Sequence, residues 1–370
     1  MSNHISAEKI FDLDIHKDLN KIKILRLLET ASRQVGEINN IVTNILEFDF
    51  IVAALKNIEA LNSARIEGTT GNLKDLYLEN ALDFEKKKQL KLFSAINYKM
   101  AMEELEGIIR SHNRIDMALI RQLHRLLAEN DPDTKGTPGK FRTNEVVIKN
   151  SKLGNFYPAH PNKVEEFMER FTKEVANKHD YPTLLQAAIM HYQFEAIHPF
   201  EDGNGRTGRI LIVASLLVEK MLECAVLNLS QYFETNREEY ISSLRSVSDN
   251  ASYEEWIIFF LNAIIEQCKH NIELIKKLRE LKDANELLIN EQMRTPAATL
   301  ILHHALNRLY ITTSDTVTYL KARKLRGDLK QIARKNIQKL VDLGILTKTN
   351  RKFGKAEVYA HQQLKNMLTQ

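Results

Sequence analysis

Cysteine is nearly absent, with only Cys224 and Cys268 in 370 residues. They lie far apart and lack metal-ligand spacing, which argues against a disulfide framework or a cysteine zinc site and fits a reducing compartment. Met1-Ser-Asn-His-Ile-Ser has no basic stretch leading into an apolar one, so no secretory signal is visible. The longest apolar run, Ile210–Val218, falls far short of the roughly 20 residues that cross a bilayer. No repeat or low-complexity tract interrupts the chain. A cytoplasmic globular protein with no membrane partner is the expectation, and the length favours two or three domains over one small core.

The composition, 44% hydrophobic and 27% charged, is ordinary for such a protein. Charge is unevenly spread. Lys321–Lys355 holds twelve Lys or Arg against Asp328 and Asp342, a net of +10 that leaves about −6 for the rest of a chain whose total is +4. Apolar residues at three- and four-residue spacing predict helices at Lys21–Val35, Ile51–Ile66, Gln89–Ser111, Asp116–Ala128, Lys163–Asn177, Thr183–Ala196 and Gly205–Lys220. Asp116 and Thr183 fit N-caps, and Gly68 fits the residue after a helix end. Asn130–Pro161 is non-helical; within it Glu145–Lys149 and Asn155–Tyr157 flank a turn and predict a short β-hairpin. A charged helical connector is expected near Cys268–Arg294, followed by a small domain from Thr295 to Gln370.

Between two apolar helices stands His198-Pro-Phe-Glu-Asp-Gly-Asn-Gly-Arg-Thr-Gly-Arg209. Pro199 ends the first helix, and Gly203-Asn204-Gly205 turns into the second, whose amino end offers backbone N–H groups to an anion. Arg206 and Arg209 lie three apart at that already positive end, which calls for an anionic partner such as a polyphosphate. Asp202 is placed to hold Mg²⁺, and His198 could take a proton near neutral pH. The bland alternative is a buried turn with Arg paired to Glu201 and Asp202. The clustering of so many polar and glycine roles in one window favours the anion site.

This loop matches the Fic family signature, His-Pro-Phe-x-(Asp/Glu)-Gly-Asn-Gly-Arg-x-x-Arg, at every defined position. The resemblance implies a mainly α fold: a Fic-type helical core with a short β-hairpin flap, plus a C-terminal winged-helix domain. It implies protein adenylyltransferase activity, moving AMP from the co-substrate ATP to a Ser, Thr or Tyr hydroxyl of a target protein, with Mg²⁺. His198 would be the general base and Asp202 the metal ligand. Gly203, Asn204 and Gly205 would cradle the nucleotide, and Arg206 and Arg209 would bind terminal phosphates. A phosphotransferase branch has lysine where this chain has Gly205, so AMP transfer is favoured.

By the same likeness the hairpin at Asn144–Pro158 is the flap that pairs with the target by strand addition. Tyr157-Pro-Ala-His-Pro161 departs from the family's adjacent prolines and leaves target preference open. Leu229-Ser-Gln-Tyr-Phe233 and Arg237-Glu-Glu-Tyr240 resemble the segment that completes the family's adenine pocket, and Tyr232 is the expected adenine neighbour. Ser63-Ala-Arg-Ile-Glu67-Gly68 resembles the family's inhibitory helix. Glu67 sits in a last turn, where the helix dipole disfavours an anion by about 0.3–1 kcal/mol. It would pair with Arg209 and exclude productive ATP, with Ser63 on the same face; in some relatives this glutamate assists AMP removal, a reverse reaction. The expected division is 1–100 with the inhibitory motif, 101–270 as catalytic core and 285–370 as winged helix. The winged helix resembles modules that would meet DNA or dock on protein, and related proteins often form homodimers. The competing reading is a DNA-binding transcriptional regulator whose core senses nucleotide.

Overall fold

The computed structural model describes residues 10–11, 21–44, 49–79, 84–177, 181–353 and 356–368. The chain enters through α1 (Ile22–Thr43), whose buried Ile24, Ala31, Val35, Ile38 and Val42 form one stripe. Next, α2 (Asp49–Ile66) is buried on nearly every side, including the polar Lys56, Asn57, Glu59, Asn62 and Ser63. Gly68 follows it in the left-handed region at φ +97°. Two short helices, α3 (Leu73–Tyr77) and α4 (Phe84–Gln89), lead to α5 (Phe93–His112) and α6 (Met117–Ala128). Asp116 caps α6 by accepting from Leu119 N at 2.9 Å, a contact worth about 1 kcal/mol in such positions.

The non-helical stretch follows, then α7 (Val164–Ala176), α8 (Thr183–Ile197) and α9 (Asn204–Val218). Thr183 is the first helical residue rather than a cap. Pro182 holds the cap position, where no side-chain bond is made. The hairpin is also smaller than its sequence pattern predicts. Its strands meet in one antiparallel bridge, with Ile148 N to Phe156 O at 3.0 Å and Phe156 N to Ile148 O at 2.9 Å. Asn150 Oδ1 accepts from Lys152 N and Leu153 N, so side-chain bonding closes the turn where a longer ladder would run.

After α10 (Leu229–Thr235) and α11 (Arg237–Asn250) comes α12 (Glu254–Gln292), 39 residues long. The charged connector is therefore the second half of a single helix. Pairs such as Lys277–Glu273, Arg279–Asp283 and Lys282–Glu286, each four residues apart, support its exposed side. The first half is apolar: Trp256 is fully buried and donates Nε1–H to Ala188 O of α8 at 2.8 Å. Helix α1 packs along α12, and α2 packs between α5 and α10.

The C-terminal unit runs α13 (Pro296–Arg308), β1 (Tyr310–Thr312), α14 (Thr313–Ala322), α15 (Leu329–Asp342), β2 (Thr347–Phe353), β3 (Ala356–Ala360) and α16 (Gln362–Leu368). Its sheet has order β1-β3-β2, antiparallel throughout, with Ile311 opposite Tyr359 and Thr347 opposite Ala360. Gly354 and Lys355, at the tip of the expected wing, lie outside the described residues. Helix α13 packs against both α15 and α2. No described helix is long and apolar enough to cross a membrane.

Candidate active site

The loop between α8 and α9 is built by a few side chains that bond to backbone. His198 ends α8 in the left-handed region at φ 52°, its N–H still bonded to Phe194 O at 2.8 Å. Gly203 stands before α9 at φ 78°. Asn204 spans the turn: its Oδ1 accepts from Phe200 N and its Nδ2 donates to Phe200 O, both at 2.8 Å. Phe200 is fully buried and stacks on His124, with ring centroids 3.6 Å apart and 4° between planes. Gly139 N donates to His124 Nδ1 at 2.8 Å, so its Nε2–H donates to Asp202 O at 2.9 Å. Burial pushes this ring's pKa down to about 4, and it is neutral at physiological pH.

Arg142 ties the hairpin to the loop. Its Nε donates to His198 O at 2.7 Å, and its terminal nitrogens reach Asn144 O, Ala159 O and Ile197 O. Nearly every donor of a buried guanidinium is thus spent on carbonyls at the two ends of the hairpin and at the junction of α8 with the loop that follows it. Burial lowers its pKa to about 10, with Glu145 opposing the shift.

A cavity of about 220 Å³ opens beside the loop, walled by His198, Gly205, Arg209 and Glu195, by Ile148 and Phe156 of the hairpin, by Tyr192, and by Arg237, Tyr240 and Leu244 of α11. His198 is held neutral, its pKa pushed down to about 4 by burial and by Arg142, against smaller opposing effects of the Glu195 backbone, Glu67 and Asp202. Arg209 is 2% exposed, and two of its three nitrogens are held by α2 and the residue after it. It donates from Nε to Ser63 Oγ at 2.9 Å, and from one terminal nitrogen to Ser63 O at 3.0 Å and Glu67 Oε1 at 2.8 Å. The Glu67 side chain is 43% exposed; the partial desolvation of its carboxyl acts to raise the pKa, but Arg209, with help from Arg206 and His198, holds it below its ordinary value. Gly205 makes room for this pair: a Cβ there would lie 2.4 Å from Glu67 Oε1 and 2.9 Å from Arg209 Nη1, so a side chain at 205 would have to displace one of those two tips.

Behind this pair, Glu59 is buried and accepts from Ser230 N at 3.0 Å, from Ser230 Oγ and from Tyr98 Oη at 3.2 Å. The carboxyl thereby caps the start of α10 from another helix, since Asn228 in the cap position makes no such bond. Burial raises the Glu59 pKa, with the Ser230 bonds and Arg209 opposing.

The other residues singled out in the sequence are dispersed. Arg206 turns away from the cavity and is buried against Asp131 Oδ2 and Leu127 O, at 3.3 and 3.2 Å. Asn204 has committed its amide to Phe200. Tyr232 packs on Phe259, with ring centroids 5.5 Å apart, and is not among the residues walling the cavity. Tyr240, from the neighbouring Arg237–Tyr240 segment, takes that wall, stacked on Phe233 at 4.5 Å. Asp202 is 41% exposed on its side chain, with Oδ1 accepting from Gly203 N at 2.6 Å. No cluster of three metal-binding side chains occurs among the described residues. A single open carboxylate suits Mg²⁺, which keeps several waters and leans on substrate phosphates.

A helical core whose loop carries the His198–Arg209 signature, with a neutral imidazole and a buried arginine at one cavity, is of the Fic class. Residues 114–216 match the Fic/DOC family and residues 25–105 match the Fic/DOC family N-terminal region. The chain belongs to the Fic/DOC family. It is 35% identical over 114 residues to a probable protein adenylyltransferase of Aquifex aeolicus (strain VF5), covering 31% of this chain and 32% of that one. It is 29% identical over 161 residues to the protein adenylyltransferase Fic of Drosophila melanogaster, covering 42% and 31% respectively. The matched stretch is thus about a third of either relative. A crystal structure of a Fic family protein from Desulfovibrio desulfuricans G20 shares the fold across 92% of this chain and 96% of its own, at TM-score 0.60 and 17% identity. Fic-1 from C. elegans does so over 69% and 73%, at TM-score 0.52 and 19% identity.

Proposed function

We propose that this protein is a protein adenylyltransferase held in check by its own α2. The observation that carries this reading is that one cavity holds a neutral imidazole, His198, and a guanidinium, Arg209, whose anion-binding edge is filled by Glu67. In the reaction, a target Ser, Thr or Tyr hydroxyl gives its proton to His198. The hydroxyl oxygen bonds to the α-phosphorus of ATP, and the bond to the bridging oxygen breaks to release pyrophosphate. Arg209 would bind the terminal phosphates and align the α-phosphorus once Glu67 has left. Amides at the start of α9, about Gly203 and Gly205, would meet phosphate oxygens. Asp202 would hold Mg²⁺, which neutralises phosphate charge when bound. Asn204 acts on the nucleotide through the loop it staples. The Ile148–Phe156 bridge is the flap, and its exposed edge would add a strand of the target. The same Glu67 would serve AMP removal from a modified target.

The purified chain with Mg²⁺ and ATP labelled at the α-phosphate tests this. Little label is expected from the native chain, strong protein labelling from Glu67→Gly, and none from Glu67→Gly/His198→Ala. Labelling from the γ-phosphate instead would mean phosphate transfer.

A second reading concerns residues 285–370 as a winged helix, a partition in which 1–100 carries the brake and 101–270 the chemistry. Lys330, Arg334, Lys335 and Lys339 are exposed on α15, opposite buried Ala333, Ile337 and Leu340. That basic face would neutralise DNA phosphates. Salt-dependent gel shifts that survive reversal of Lys330, Arg334 and Lys335 would remove this reading.

A further inference from the structure

Glu195 lies in α8 one turn before His198, and the reaction above gives it no task. Its carboxyl is buried where α8 meets α9, in space that Gly208 leaves open. A Cβ at 208 would lie 2.4 Å from Glu195 Oε1 and 3.1 Å from His191 Cε1. Oε1 of Glu195 has no hydrogen-bond partner, and Nδ1 of His198 makes none that meets hydrogen-bond geometry, although the Glu195 backbone acts on the ring. The other carboxyl oxygen, Oε2, is 3.7 Å from that same Nδ1. Two unsatisfied buried polar groups side by side are each costly alone. A small rotation of either side chain joins them.

We propose that Glu195 is a positioning residue that sets which ring nitrogen of His198 carries the proton. As a carboxylate it accepts from Nδ1–H, which leaves the Nε2 lone pair free for the target hydroxyl and steadies the imidazolium that then forms. As a neutral acid it donates to Nδ1, and Nε2 then bears hydrogen and cannot act as a base. This inference rests on reading His198 as the base.

The groups that face the carboxyl explain how it would change state. Arg209 comes from α9, Glu67 from α2, Tyr240 from α11, and His191 and His198 from its own helix and its end. Burial lifts the Glu195 pKa to about 8; Arg209 lowers it and Glu67 raises it again. With Glu67 in place the neutral acid prevails at pH 7. Removing Glu67 deletes a raising charge and leaves Arg209 uncompensated, so the carboxylate gains. The glutamate that fills the phosphate site thereby also holds the base in its idle tautomer, and one displacement frees both.

The test is ¹⁵N-histidine NMR without nucleotide, across about pH 5.5 to 9, with His198 assigned by its loss in His198→Ala. In the native chain His198 should carry its proton on Nε2 at neutral pH. In Glu67→Gly it should switch to Nδ1–H at lower pH than in the native chain. In Glu67→Gly/Glu195→Gln the pH-dependent switch should vanish. In that double variant kcat for AMP transfer should fall by about tenfold or more while the KM for ATP stays within about threefold. Glu195→Ala leaves the backbone carbonyl of residue 195 in place and separates it from the carboxyl. His198 nitrogen shifts indifferent to residue 195, or a loss confined to KM, would overturn the proposal. Should the double variant not fold, the absence of any tautomer step in Glu67→Gly alone overturns it equally. Expected NMR changes without AMP transfer would instead sink the assigned activity and leave the role of Glu195 standing.

Discussion

Charged groups near the cavity and on the C-terminal unit are handled in opposite ways. Arg142, Arg206, Arg209 and Glu59 are each nearly sealed from solvent and each meets named partners in the interior. On α15, Lys330, Arg334 and Lys335 stand in water, at the surface of a helix whose other side is apolar. A buried charge holds geometry because losing its partner strands it, whereas an exposed one contributes field with little effect on the fold. Changes in the first region should therefore alter chemistry and stability together, and changes in the second should alter binding alone.

The largest effect is expected from combining Glu67→Gly with His198→Ala. AMP transfer released by the first change should return to background with the second, read as protein-bound α-label. Glu67→Gly alone should raise transfer by about tenfold or more, since it frees the terminal nitrogen of Arg209 that Glu67 now occupies. Glu59→Ala should lower stability by about 2–4 kcal/mol in denaturant unfolding, because Tyr98 Oη and both Ser230 donors lose their acceptor. A change under about 0.5 kcal/mol there would break the contrast between the two regions.

Acidification sharpens the same contrast. His191 is held near pKa 3 by burial, and His124, His198 and His361 near 4. Their folded values lie below the unfolded 6.5, so protons bind the unfolded chain more readily. Stability present above pH 6.5 should be lost as pH falls toward 4. Glu195 works oppositely: its raised value favours the fold below pH 4.5, and that contribution fades as pH rises through about 8. Four depressed histidines against two raised carboxyls, Glu59 and Glu195, give a net fall in the thermal midpoint on acidification, measurable by calorimetry. The smallest effect should follow reversal of Lys330, Arg334 and Lys335 to Glu, with unfolding free energy changed by no more than about 0.5 kcal/mol and nucleic-acid retention lost.

Much of the site was readable because it is local. The twelve-residue loop brings imidazole, glycines and arginine together within one turn between helices. Glu67 stood out through the resemblance of Ser63–Gly68 to an inhibitory helix, since an acid in a last turn does not by itself differ from a surface glutamate, and Arg209 lies within bonding distance of it. Arg206 illustrates the limit: three residues from Arg209 on the same helix, it faces Asp131, a partner that periodicity does not reveal. Arg142 escaped because its ligands are backbone carbonyls, which have no sequence signature. Glu59 acquires its role only from packing between helices distant in the chain, and packing puts Tyr240 rather than Tyr232 on the cavity wall within the segments that the resemblance singled out. Helix α12 ran past its expected start because apolar and charged halves share one unbroken helix, and a change in composition resembled a boundary.

The central claim is that Glu67 occupies the phosphate edge of Arg209 beside a working base. Its most direct measurement is intact-mass spectrometry of purified Glu67→Gly, alone and with added lysate, incubated with Mg²⁺ and ATP carrying a labelled α-phosphate. The account predicts covalent AMP on protein that disappears with His198→Ala. Nucleotide bound by Glu67→Gly with no AMP transferred to any protein would contradict it.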